Sequence, residues 1–198
     1  MTHQYQALNI IRAEHQTLTA VIDALKHVAA EVAQGKLTPD YKLLWSIMYY
    51  IEAFPETLHH PKEEAVLFPH IRRRCSDIDT MLDDLGRQHA NSGPHLDILK
   101  SLLGKMEAEI PGAAQAFSDK VAIYAGFHYQ HMMQEETVVL PKAREVLTEA
   151  DWKEIADAFA ENADPLRDGG TSGNEWFRQF YRRIVHLVPE PWGLGERR

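Results

Sequence analysis

The chain has 198 residues, 44% hydrophobic and 25% charged, an ordinary globular balance with enough apolar material for one sizeable core. A net charge of -8 and a pI near 5.7 exclude the basic stripe that nucleic acid or an anionic membrane surface would need, and the run Arg72 to Arg74 is too short to change that. The lone Cys75 excludes an internal disulfide and a Cys-rich metal site. The opening Met-Thr-His-Gln-Tyr-Gln has no apolar signal core and no apolar run nears the roughly 20 residues a bilayer needs, so the expected compartment is the cytoplasm.

Apolar residues at helical spacing run from Leu8 through Ile11, Leu18, Ile22 and Leu25 to Val32, and Gly35 followed by Pro39 closes this first predicted helix. A second begins after Thr38-Pro39, carries Leu43, Leu44, Ile47, Ile51, Phe54 and Leu58, and runs to about Arg74; Pro55 and Pro61 should each bend or break it. A third spans about 76–108, with Gly93-Pro94 a predicted irregularity. Pro111-Gly112 then punctuates the chain before a fourth at about 113–147. No stretch alternates as a strand would, so the expected fold is all-α, an antiparallel up-down four-helix bundle over 1–147. Residues 148–198 read as a short helical extension. Trp152, Ile155, Ala156 and Phe159 form one apolar face there, and Trp176, Phe177, Phe180, Tyr181 and Ile184 suggest a second helix. This extension is expected to fold back on the bundle, with a homodimer interface as the alternative.

The segment His-His-Pro-Lys-Glu-Glu-Ala-Val-Leu-Phe-Pro at 59–69 recurs in degenerate form at 131–141, as His-Met-Met-Gln-Glu-Glu-Thr-Val-Val-Leu-Pro. Residues four apart share a helix face, so His59 with Glu63 and His131 with Glu135 can each direct an imidazole and a carboxylate to one point. The first copy also offers His60 with Glu64, rotated by about 100°. Aligning the copies sets Met132 opposite His60, which leaves His60 and Glu64 beside the site or on the surface.

The other two helices carry His15 and His89, 74 residues apart, against 72 between His59 and His131. The chain thus reads as two similar αα-hairpins, each giving one His from its first helix and a His-x-x-x-Glu from its second. Together they place four imidazoles and two carboxylates at the bundle centre, an inventory that suits two metals. Imidazole and carboxylate without thiolate favour iron, manganese or zinc. Glu63 and Glu135 could each bridge both ions.

This doubled pattern resembles the hemerythrin-like (HHE cation-binding) family over about residues 8 to 147. The resemblance implies a non-heme diiron centre held by His15, His59, Glu63, His89, His131 and Glu135. Two iron ions would be joined by an oxo or hydroxo bridge, with manganese or zinc as substitutes. The family's animal oxygen carriers place a further His one turn after the third-helix ligand, where this chain has Gly93. Its set is closer to bacterial members implicated in nitric oxide or oxygen response and in iron–sulfur cluster repair. The expected function is binding of O2, NO or peroxide for sensing, detoxification or iron handling. The alternatives are a peroxidase or nitric oxide reductase type enzyme, and an interaction module in which metal is only a staple.

Other histidines have blander readings. His128 lies one turn before His131 and is expected to support it by hydrogen bonding. His95 could be a ligand only if the helix rewinds at Gly93-Pro94. His3, His27, His70 and His186 are expected to face solvent, and Cys75 to be an ordinary helix-end cysteine.

Overall fold

The computed structural model describes residues 2–162, all in helices or their short connections, with no strand among them. Helix α1 is His3–Ala33, opened by the Thr2 hydroxyl accepting from Tyr5 N–H and closed before Gly35, whose φ of 71° suits a residue without Cβ. Helix α2 covers 41–74 and is capped by the Asp40 carboxylate accepting from Leu43 N–H. Helix α3 is Asp79–Glu107, α4 covers 113–146, and α5 is Glu149–Ala160, begun by a Thr148/Asp151 capping box. Gly93-Pro94 does not interrupt α3, and Trp176 to Ile184 lie outside the described residues.

The prolines of α2 and α4 widen these helices rather than break them. Turns of π-helix occupy Glu52–His59, Glu63–Leu67 and Glu135–Val139, where an N–H reaches five residues back: His60 to Pro55, Phe68 to Glu63 and Leu140 to Glu135. A proline ring collides with the carbonyl four residues earlier, and a widened turn moves that carbonyl aside. Pro69 and Pro141 each follow such a turn by one residue, so both copies of the motif solve the same steric problem in the same way. Both turns open on the motif glutamate.

The core is divided. A larger apolar cluster holds Leu25, Leu44, Ile47, Phe54, Leu99, Phe117 and Tyr124; a smaller one holds Ile11, Phe68, Leu85, Leu140, Ile155 and Phe159. Between them every long helix contributes buried polar residues at one level: Glu14 and His15 on α1, His59, His60 and Glu63 on α2, His89 and Ser92 on α3, and His128, His131 and Glu135 on α4. Helix α5 packs on α1, with Trp152, Ile155 and Phe159 completing the smaller cluster. Arg74 holds Asp151 through two hydrogen bonds and fixes the α5 entrance. No helix of the described residues is long and apolar enough to cross a membrane.

In the presence of chelator, Leu25→Ala should destabilise the protein by about 2–5 kcal/mol in urea denaturation, because Leu25 is fully buried. Ile123→Ala, at a position 60% exposed, should change it by less than about 0.5 kcal/mol. Equal effects would contradict this division between core and surface.

Candidate metal centre

The six residues expected from the doubled motif converge in the polar layer. His15 Nε2 faces His59 Nε2 at 3.2 Å, and His89 Nε2 faces His131 Nε2 at 3.1 Å. Between the pairs lie the two carboxylates, each turning one oxygen to either side. Glu63 is 3.4 Å from His59 through Oε1 and 3.4 Å from His89 through Oε2. Glu135 is 3.3 Å from His15 through Oε2 and 3.2 Å from His131 through Oε1. Two quartets result, His15, His59, Glu63, Glu135 and Glu63, His89, His131, Glu135, each with its donor atoms within 4.8 Å of one another.

The donor chemistry fits a divalent cation in each quartet. Every imidazole has its Nδ1 engaged from behind: His15 by Glu136 at 2.9 Å, His59 by Glu14 at 2.7 Å, His89 by Glu64 at 2.8 Å and His131 by the Gln88 carbonyl oxygen at 3.0 Å. Carboxylate and amide oxygens only accept, so each Nδ1 carries the hydrogen, and each neutral imidazole keeps a lone pair on the inward Nε2. Two lone pairs facing at 3.1–3.2 Å repel unless a proton or a cation lies between them. Nitrogens at about 2.1 Å from one ion and about 95° apart would be separated by about 3.1 Å. The carboxylates point the same way: Glu63 and Glu135 are at most 1% exposed, and none of their four oxygens has a hydrogen-bond partner among the described residues. Buried ionised carboxylates persist only when paired or bound to metal.

The supporting groups follow the duplication. Glu64 and Glu136 are the second glutamates of the two Glu-Glu pairs, each reaching a first-helix histidine of the other hairpin. Glu14 and Gln88 directly precede His15 and His89 and serve the second-helix histidines. Comparing the residues flanking each ligand in both copies would have located all four. Glu14 is also bound by the Asn162 amide at 3.2 and 3.4 Å, a contact across 148 residues that has no local sequence signal.

His60, His89 and His131 also lie close enough to suggest a third cation position. The ring planes exclude it. His60 stacks on His89 with centroids 4.3 Å apart and planes 12° apart, so no ion can lie in both ring planes at bonding distance. His128 bonds Ser92 at 3.3 Å rather than a ligand. His95 packs near Phe127 and joins neither quartet. His3 pairs with Glu149, and His186 lies outside the described residues. The expectation that His70 faces solvent is corrected: it is 5% exposed, bonding the Val66 carbonyl one turn back and Glu154 of α5.

A family model, the hemerythrin HHE cation-binding domain, matches residues 6–143. The chain belongs to this family. A search of curated proteins returned no match. The hemerythrin match contains both quartets and their four supporting groups, whereas α5 and Asn162 lie beyond it.

A cation placed between the inward nitrogens of this hemerythrin domain would compete with protons for them. Burial opposes charge on His15, but the nearness of Glu135 and the hydrogen bond to Glu136 outweigh it and raise its pKa to about 9. Burial is likewise overcome at His59 by Glu63 and Glu14, and at His89 by Glu63, Glu135 and Glu64; both are raised. The carboxyls of Glu63 and Glu135 are lowered despite burial, the facing imidazoles being the cause. Because the folded His15 pKa lies above the ordinary 6.5, the domain without cation binds extra protons between those values and loses that stabilisation as pH rises through about 9. A cation must displace the same protons, so its affinity rises over the same interval. The gain in Tm on adding manganese(II) over chelator should therefore grow from about pH 6.5 to about pH 8.5. A gain that is flat or shrinks with pH would show that these imidazoles do not hold the ion.

Proposed function

We propose that this hemerythrin-family protein is a non-heme diiron protein that binds a small ligand, O2, NO or peroxide, for sensing, detoxification or iron handling in the cytoplasm. The observation that carries the reading is the set of four carboxylate oxygens, without a hydrogen-bond partner among the described residues, between two facing pairs of imidazole Nε2 atoms. In this reading His15 and His59 would hold one iron and His89 and His131 the other, with Glu63 and Glu135 offering one carboxylate oxygen to each; manganese and zinc are substitutes. Each ion then receives four protein donors, fewer than the six that iron accommodates. Iron, when bound, supplies reversible redox chemistry and open coordination positions for the ligand. The bundle is read as up-down and antiparallel, which lets the motif of α2 and that of α4 meet at one level.

The protein's own contribution is to orient and to exclude water. Hydrogen bonds behind each Nδ1 fix tautomer and ring direction. The apolar clusters above and below keep the centre dry. A surface groove of about 580 Å³ between α1 and α4, lined by Thr19, Met132 and Met133 together with the Arg12–Glu136 ion pair, lies against His15 and offers small molecules an approach to that end of the centre.

A turnover reading, of peroxidase or nitric oxide reductase type, draws on a separate observation. Glu56, Ser92 and His128 form a buried hydrogen-bonded chain beside His131. Burial pushes the Glu56 carboxyl up and, with the neighbouring His131, the His128 imidazole down to about 3. A carboxyl raised toward working pH and hydrogen-bonded to Ser92 suits delivery of a proton to a reaction that consumes one.

Reduced, iron-loaded protein mixed with O2, NO and peroxide in a stopped-flow spectrometer separates the readings. A stable stoichiometric adduct with at least one of the three supports binding, and many turnovers that Ser92→Ala slows by about tenfold or more support catalysis. No reaction with any of them would refute both.

A further inference from the structure

The internal duplication breaks at one supporting position, Glu14 in the first hairpin and Gln88 in the second. Behind His15 and His59 stand two carboxylates, Glu136 and Glu14. Glu14 is 2% exposed and is gripped by Asn162, itself 8% exposed. Asn162 sits just past the end of α5, outside the family match at 6–143. That end of α5 is fastened by Lys62, which donates to the Ala158 carbonyl and to Glu161, and Phe159 stands edge-on to His59 at 6.0 Å. Behind His89 and His131, among the described residues, there is only one carboxylate, Glu64, whose side chain is 48% exposed, and the neutral amide of Gln88. A pocket of about 540 Å³ opens beside them, lined by Glu56, His60, Glu64 and His89.

A carboxylate that accepts from Nδ1 makes the opposite Nε2 a stronger donor to a divalent ion, and it does so more when buried than when water screens it. An amide oxygen does so less. The geometry points to two unequal cation positions: the ion between His15 and His59 is held tightly, with Asn162 as a positioning residue acting on His59 through Glu14, and the ion between His89 and His131 is the exchangeable one. This rests on the dinuclear reading above. It ties a segment beyond the family's domain to the occupancy of a single position.

Anaerobic titration of metal-free full-length protein with iron(II), in competition with a chromophoric chelator, tests it. Wild type should give two binding constants separated by about tenfold or more. Asn162→Ala should weaken only the tighter one, by about tenfold, and Gln88→Ala only the looser one by a similar factor. Gln88→Glu, which places a carboxylate behind His131, should tighten the looser constant. General loosening of α5 would instead lower the metal-free Tm and move both constants together. Equal constants in wild type, an Asn162→Ala effect on both or on neither, or the two alanine variants exchanging constants would each overturn the assignment. Wild type that takes up fewer than two ions would overturn the dinuclear reading itself.

Discussion

Two carboxylates without a hydrogen bond from any described residue, nearly out of reach of water, sit in the middle of a helical protein between two apolar clusters. Burying an ionised carboxylate works against folding by several kcal/mol unless positive charge compensates it. Here the compensation is supplied by whatever lies between the facing imidazoles, protons or cations. The rest of the polar layer is arranged around that requirement: Nδ1 atoms tied outward to acceptors, Nε2 atoms turned inward, and apolar side chains above and below that deny water as a solution. The site thus has a strong preference for positive charge and little preference of its own for which charge arrives.

Local structure and chemistry are joined in the motif. The i,i+4 spacing sets His and Glu on one helix face, the adjoining Glu reaches a neighbouring helix, and the proline at the motif's end accompanies a π turn that begins at the first Glu. Such widened turns recur at functional sites because they let one residue depart from the regular face. The pattern occurs twice, so the centre inherits near two-fold symmetry from the chain. Its departures from symmetry, Glu14 against Gln88 and the single α5 on one side, are where the two halves can differ in behaviour.

Much of this was legible in the sequence because both signals are periodic. Helical spacing of Leu8 through Val32 predicts α1 within a few residues, and alignment of 59–69 on 131–141 selects His59 over His60 for the inward position that His59 occupies. What was not legible has physical reasons. Gly93-Pro94 was expected to make α3 irregular, and the helix runs through it uninterrupted. Pro55 and Pro61, expected to bend or break α2, are instead accommodated by a widened turn at Glu52–His59. His70 was expected in solvent, yet its ring bonds the carbonyl one turn back and is sheltered by α5. Asn162 reaches Glu14 only after α5 docks on α1, a tertiary event that no local pattern encodes.

The proposed function requires two ions at the level of Glu63 and Glu135. Anomalous diffraction from crystals of iron-loaded protein, collected at the iron edge, tests this most directly. Two peaks are expected, one between His15 and His59 and one between His89 and His131, with each carboxylate contacting both. No peak at either pair, or iron bound elsewhere while the six side chains keep the same arrangement, would contradict it.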